Sequence, residues 1–153
     1  MTYLPIIMRL AVIGDSVQDE YRANDNRGAP YYTTTLNWVE ILQSKRGVNF
    51  GAWGTRAEPR RSGYELVWAR SGATSQAALS SQLPGVLGQL QNGTATHVLI
   101  QVGLNDFNQG NLGYSIYNGV AMTATLNFIA DNIVSMANQA NAVAPGRVLV
   151  AGT

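Results

Sequence analysis

The chain has no cysteine and a single histidine, His97. The first absence excludes a disulfide scaffold, a CxxC redox pair and a cysteine-rich zinc site. The second leaves a zinc hydrolase with carboxylates alone as ligands. Charge is scarce as well: 12% of the 153 residues are charged, and 10 Lys+Arg stand against 9 Asp+Glu, a formal net charge of +1. A nucleic-acid partner calls for a basic face, which that balance does not provide. No apolar stretch approaches the ~18 uninterrupted residues of a membrane-spanning helix. Lysine occurs once, as Lys45 near the end of a helical pattern, and neither GxxxxGK[ST] nor GxGxxG is present, so a nucleotide-binding module fails on detail. The GxSxG elbow of a standard α/β-hydrolase is missing too.

What is present suffices for one core. Hydrophobic residues make up 46% of the chain, and the length suits one domain spanning residues 1–153. Met1–Arg9 has no basic region ahead of its apolar residues, and Pro5 interrupts them, so the segment reads as a lead-in to a strand and not as a signal peptide. Compartment and oligomeric state stay open.

Leu10-Ala11-Val12-Ile13 is a short apolar run that suits a buried strand. It ends at Gly14-Asp15-Ser16, followed by a polar loop from Asp19 to Pro30. From Thr35, the spacing of Leu36, Val39 and Leu42 predicts an amphipathic helix. Lys45 and Arg46 fall in its last turn and Gly47 at its left-handed cap. Val48-Asn49-Phe50 is a second short strand. Gly51–Gly63 reads as a loop whose arginines, Arg56, Arg60 and Arg61, are solvated. Tyr64–Ala69 is extended and runs into Ser71-Gly72-Ala73-Thr74.

Ser75 is the expected N-cap of a helix with Leu79, Leu83, Val86 and Leu90 on its apolar face, kinked or split at Pro84-Gly85. Val98–Val102 is the clearest buried strand and ends at Gly103-Leu104-Asn105-Asp106. A Gly/Asn-rich loop leads to a long helical pattern through Ile116, Val120, Ala124, Phe128, Ile133, Met136 and Ala140. Pro145-Gly146 stops it, and Val148-Leu149-Val150 begins another strand. Strands alternating with helices predict βαβ units and a mostly parallel sheet.

In open α/β sheets, ligands bind beyond the carboxyl ends of the strands. Gly14-Asp15-Ser16, Gly72-Ala73-Thr74 and Gly103-Leu104-Asn105-Asp106 all fall at such ends. Each alone is ordinary turn chemistry; together they place a serine, a glycine and an asparagine at one rim. In order and position they resemble the first three sequence blocks of the SGNH (GDSL-type) hydrolase family, over nearly the whole chain from Leu10 to Thr153. That resemblance implies a three-layer α/β/α fold of flavodoxin-like type and hydrolysis of carboxylic esters through an acyl-serine. The substrate is then a small-molecule, carbohydrate or lipid ester, with no cofactor or metal needed. It assigns Ser16 as nucleophile, and the Ser16 N–H, the Gly72 N–H and the Asn105 side chain as the oxyanion hole.

The chemistry suits these residue types. Acyl transfer develops negative charge on the former carbonyl oxygen, and preorganised donors lower that barrier most. Glycine lets the backbone approach substrate without a Cβ, and asparagine offers a neutral NH₂ donor. Asp106 reads as a turn or brace residue without a catalytic role. Trp53, Tyr64 and Trp68 read as packing or as an aromatic surface for a sugar or acyl chain.

The family also carries an Asp-x-x-His block whose His is the general base and whose Asp orients it. No Asp-x-x-His occurs in these residues. His97 precedes its strand, and about six residues at ~3.3 Å each, roughly 20 Å, separate it from the Gly103 rim. It is therefore not the base. The expectation is that the chain is the front portion of a longer hydrolase. The alternative is a non-catalytic binding or scaffold domain of the same shape that has lost its base.

Overall fold

A computed structural model describes residues 8–21, 34–107 and 119–152. The expected segments Met1–Ile7, most of the Asp19–Pro30 loop and the loop leading to Ile116 lie outside the described residues. The fold is mixed α/β, with a three-stranded parallel sheet of order β1-β4-β5 packed against helices. Its strands are β1 (Leu10–Gly14), β4 (His97–Gln101) and β5 (Val148–Val150). In register, Leu10 lies opposite His97 and Gly14 opposite Gln101, while Leu99 lies opposite Leu149.

The other edge of β1 is filled in pieces. The expected strand at Val48–Phe50 is reduced to a parallel bridge between Asn49 and Arg9, and the Tyr64–Ala69 segment bridges Val67 to Val12. The Val12 N–H donates to the Leu66 carbonyl, the Trp68 N–H to Val12 and the Arg70 N–H to Gly14. Residues 66–70 therefore run alongside β1 to its carboxyl end, which sets Gly72 just beyond that rim.

Alternation along β1 sorts its side chains between two cores. Ala11 and Ile13, with Val98 and Ile100, pack against Ala78, Leu83, Val86, Leu90, Met136 and Ala140. Leu10 and Val12 pack with Val39, Phe50 and Val67, flanked by Trp38 and Leu42. The first set belongs to α4 (Leu83–Gln91), the turn before it, and α5 (Gly119–Val143); in the second, Trp38, Val39 and Leu42 belong to α2 (Trp38–Arg46), while Phe50 and Val67 come from the segments lying beside β1. Burying each Val, Leu, Ile, Met or Phe side chain among them contributes roughly 1.5–3 kcal/mol.

Helix α2 starts three residues later than expected, because Asn37 caps it, accepting from the Glu40 N–H at 3.0 Å. It ends where expected, with Gly47 left-handed at φ 68. The expected loop at Gly51–Gly63 contains a short antiparallel pair, β2 (Trp53–Gly54) with β3 (Gly63–Tyr64). Its arginines are half-buried, not fully solvated: Arg60 lies over the Trp68 ring at 3.8 Å and donates to the Glu65 carbonyl. Of the aromatics, Trp53 is exposed, whereas Trp68 lies against Gly85, where a Cβ would collide with its ring.

The helix after Thr74 also differs from expectation. Thr74, not Ser75, is the cap, its hydroxyl accepting from the Ala77 N–H. The helix is divided, as expected, but by a wide turn just ahead of Pro84-Gly85. It runs as α3 (Ser75–Ala77), a π turn (Ala78–Gln82) and α4, with Pro84 in the first turn of α4. In that first turn the fixed backbone angle of proline suits the helix. In α5, Ala124 and Phe128 are exposed, and the inward stripe is Ile129, Asn132, Met136 and Ala140.

Candidate functional site

The first loop is built by reciprocal capping. Asp15 is buried and caps α1 (Ser16–Asp19), accepting from the Val17 N–H at 3.0 Å. Its own N–H donates to Gln18 Oε1 at 2.8 Å. Ser16 occupies the first helical position, where the N–H has no intrahelical acceptor. Among the described residues neither its N–H nor its hydroxyl has a hydrogen-bond partner.

The second loop is anchored to the first. Asp19, buried at the end of α1, accepts from the Ser71 N–H at 2.7 Å, and the Ser71 hydroxyl donates to Glu20. The Ala73 N–H folds back to the Arg70 carbonyl at 2.9 Å. Gly72 lies between these two tied amides with φ +84, a conformation other residues rarely adopt, and open space surrounds the position of a Cβ. Its own N–H has no partner among the described residues.

The third loop is a short 3₁₀ turn, Leu104–Phe107, following β4. The Asn105 side chain donates to the Ala73 carbonyl at 3.0 Å, one residue past Gly72. An amide NH₂ has two hydrogens, so one remains. Asp106 is buried and accepts from both the Ser75 N–H, at 2.8 Å, and the Ser75 hydroxyl, at 2.7 Å. Asn132 on α5 donates to the same hydroxyl at 2.9 Å. Asp106 is thus a brace, pinning the third loop to the start of the helix after Gly72.

Ser16, Gly72 and Asn105 therefore lie on adjoining loops at the carboxyl ends of β1, of the 66–70 segment and of β4. Asp19 clamps the first pair of loops; Asn105 and Asp106 clamp the second. Burial holds the Asp15 carboxyl above its ordinary range, opposed by the Val17 N–H and reinforced by the charges of Asp106 and Glu20.

His97 is elsewhere. It begins β4 opposite Leu10, four residues or about 13 Å along the strand from Gln101. Its ring Nδ1 lies 2.9 Å from the Thr96 hydroxyl. Burial and then the nearby Arg147 hold its pKa below the ordinary value. Among the described residues, no cluster of His, Cys, Asp or Glu suits a metal ion, and no helix is long and apolar enough to cross a membrane.

Sequence reasoning passed over Asp19, Gln82 and Asn132; it read Asp106 as a turn or brace, but not that Ser75 is what it braces. The available signal was a polar residue at the spacing of a buried stripe, as in Ala78, Gln82, Val86 and Leu90. No protein-family model and no curated protein matches the chain.

Proposed function

We propose that this chain carries the nucleophile and the oxyanion-stabilising groups of a serine ester hydrolase of the SGNH (GDSL-type) kind, on a three-layer, flavodoxin-like α/β/α fold. One observation carries the reading. Among the described residues, three hydrogen-bond donors, the Ser16 N–H, the Gly72 N–H and the second Asn105 amide hydrogen, are left without partners on three loops that are tied to one another. Groups with no other partner, on braced loops, are what a developing oxyanion needs, since they require no reorganisation as charge forms. The substrate is a carboxylic ester, carbohydrate acetyl esters included, and no cofactor takes part.

In the proposed reaction the Ser16 hydroxyl oxygen adds to the ester carbonyl carbon while its proton passes to a base. The carbonyl oxygen, now negative, is held by the three donors. Collapse expels the alcohol, which takes up the proton, and water then releases the acid from the acyl-serine. The base is not His97, and the aspartates are poor substitutes, because an ordinary Asp with pKa ~3.9 is too weak a base for a serine hydroxyl. In this reading the proton acceptor comes from an Asp-x-x-His segment, which these 153 residues do not contain. The position of His97 is also what favours the second reading, a scaffold of the same shape without catalysis.

The two separate by covalent labelling with an organophosphonate ester, with imidazole added as the external base. A serine hydroxyl is a weak nucleophile until a base takes its proton. The expected result is slow labelling that imidazole accelerates and that Ser16→Ala abolishes. A native chain that stays unlabelled with imidazole, or a Ser16→Ala chain labelled at the native rate, removes the esterase reading.

A further inference from the structure

At the carboxyl end of β1, the backbone of Gly14 is held by a side chain and not by a neighbouring strand alone. Even-numbered residues of β1 direct their N–H and C=O groups away from β4. Leu10 and Val12 donate to the Asn49 and Leu66 carbonyls, and Val12 accepts from Trp68. At Gly14 that ladder runs out of backbone acceptors. The Arg70 N–H still reaches the Gly14 carbonyl at 3.2 Å, but no backbone carbonyl takes the Gly14 N–H.

The amide of Gln82 replaces the missing strand. Its Oε1 accepts from the Gly14 N–H at 2.9 Å and its Nε2 donates to the Gly14 carbonyl at 2.9 Å. The side-chain amide thus stands in for a peptide group. Gln82 is 1% exposed and closes the π turn Ala78–Gln82. On the other side of Gly14, a Cβ would collide with the Gln18 side-chain amide. Gly14 is therefore gripped from two directions, two residues before Ser16.

We infer that Gln82 is a positioning residue: its clasp on both polar groups of Gly14 sets the height of the Gly14-Asp15-Ser16 turn and so the aim of the Ser16 hydroxyl and N–H. The inference rests on the esterase reading of Ser16. A fully buried amide amid Ala78, Leu83 and Val86 is costly unless both its ends are satisfied. Here both ends are satisfied by the residue that joins the sheet to the nucleophile turn.

The helix supplies its own control. Seven residues on, Gln89 makes the same kind of double bond, accepting from Trp68 Nε1 at 2.9 Å and donating to the Glu65 carbonyl at 3.1 Å. It braces the same layer but does not touch the nucleophile turn. Gln82→Met and Gln89→Met therefore each delete a two-ended clasp while keeping side-chain length. Imidazole-assisted organophosphonate labelling of Ser16 is compared in folded samples checked by near-UV circular dichroism. Misplacing a reacting group by about an ångström costs up to ~100-fold. Gln82→Met is expected to slow labelling about tenfold or more, at that scale of sensitivity, and Gln89→Met to leave it within about twofold.

If Gln82→Met does not fold, Gln82→Glu serves when read across pH beside Gln89→Glu. Protonated, it keeps an acceptor for the Gly14 N–H and a donor to the carbonyl; ionised, it loses that donor and sets a negative oxygen against the carbonyl. Its labelling rate is therefore expected to fall relative to Gln89→Glu as pH rises. Equal labelling rates for the variants at the two positions, with native chain labelled at Ser16, overturn the inference and leave the esterase reading standing. Native chain that takes no label at Ser16 overturns both.

Discussion

Asn105 has two amide hydrogens, and one is committed to the Ala73 carbonyl. That bond fixes the plane of the amide, so the remaining hydrogen points in a direction set by the second loop, not by its own rotamer preference. Removing one oxyanion donor typically lowers kcat by ~100–1000-fold, whereas losing one hydrogen bond of this kind costs only ~0.5–1.5 kcal/mol of stability. Asn105→Ala is therefore expected to slow imidazole-assisted acylation of Ser16 on the oxyanion-donor scale while the chain stays folded at the assay temperature. A loss below about threefold, against that scale, would make Asn105 a loop brace and nothing more.

Asp15, one residue before the nucleophile, carries a pH prediction. Burial raises its folded pKa, and the charges of Asp106 and Glu20 add to the effect. The folded state therefore keeps the proton to higher pH than the unfolded state does. Stability from this group is complete below the unfolded carboxyl range and is lost as pH rises through the folded pKa. Above the unfolded carboxyl range, folding must either bury this charge or take up a proton, and both cost stability. Asparagine keeps an oxygen for the Val17 N–H and carries no charge. Asp15→Asn should raise the Tm at pH 7, with the gain shrinking as the buffer is acidified below the carboxylate range. A lower Tm at pH 7 would show that the charge itself strengthens the cap.

At the scale of elements, the sequence is most readable where one signal dominates. The three sheet strands announce themselves as short apolar runs, and Gly47 ends α2 because its left-handed backbone suits glycine. Readings fail where a tertiary partner outbids a local pattern. Pro84-Gly85 marks a break by local rules, but the division falls just upstream, in the π turn Ala78–Gln82, and Gly85 serves Trp68, whose ring lies where a Cβ would be. Ser75 is a good cap by composition, but Asp106 and Asn132 claim its hydroxyl, leaving the cap to Thr74. In α5, apolar residues occupy more than one stripe, so periodicity alone cannot choose between Phe128 and Ile129. Asn132 decides, because only one rotation lets its amide reach Ser75. The candidate site is legible in the same uneven way. Its small polar residues stand out after each strand, but Asp19, Gln82 and Asp106, which hold the loops in place, act across 31 to 68 residues of sequence.

For the molecule as a whole, the sheet is covered unequally. Around β1 both faces are packed, and Leu10, Ala11, Val12 and Ile13 are almost wholly buried. At the opposite flank β5 pairs only with β4 among the described residues. Its Leu149 is 46% exposed and its Val150 55%. These neighbours project to opposite faces of the sheet, so apolar surface is open on both sides of an edge whose outer N–H and C=O groups face no further strand among the described residues. Parallel sheets are normally covered on both faces, and an apolar edge of this kind templates association with further strands. The short length of β5 limits the tendency without removing it. A lysine at each position would keep the backbone pairing to β4 and place charge on the exposed faces, the device natural edge strands use. Leu149→Lys with Val150→Lys should therefore reduce concentration-dependent self-association in sedimentation velocity. The Tm should move little, because side chains this exposed contribute little burial. Unchanged association would mean that contacts between copies arise elsewhere, and the exposed stripe of Leu126 and Val134 on α5 would be the next surface to substitute. A large fall in Tm would instead show that Leu149 and Val150 are part of the core despite their exposure.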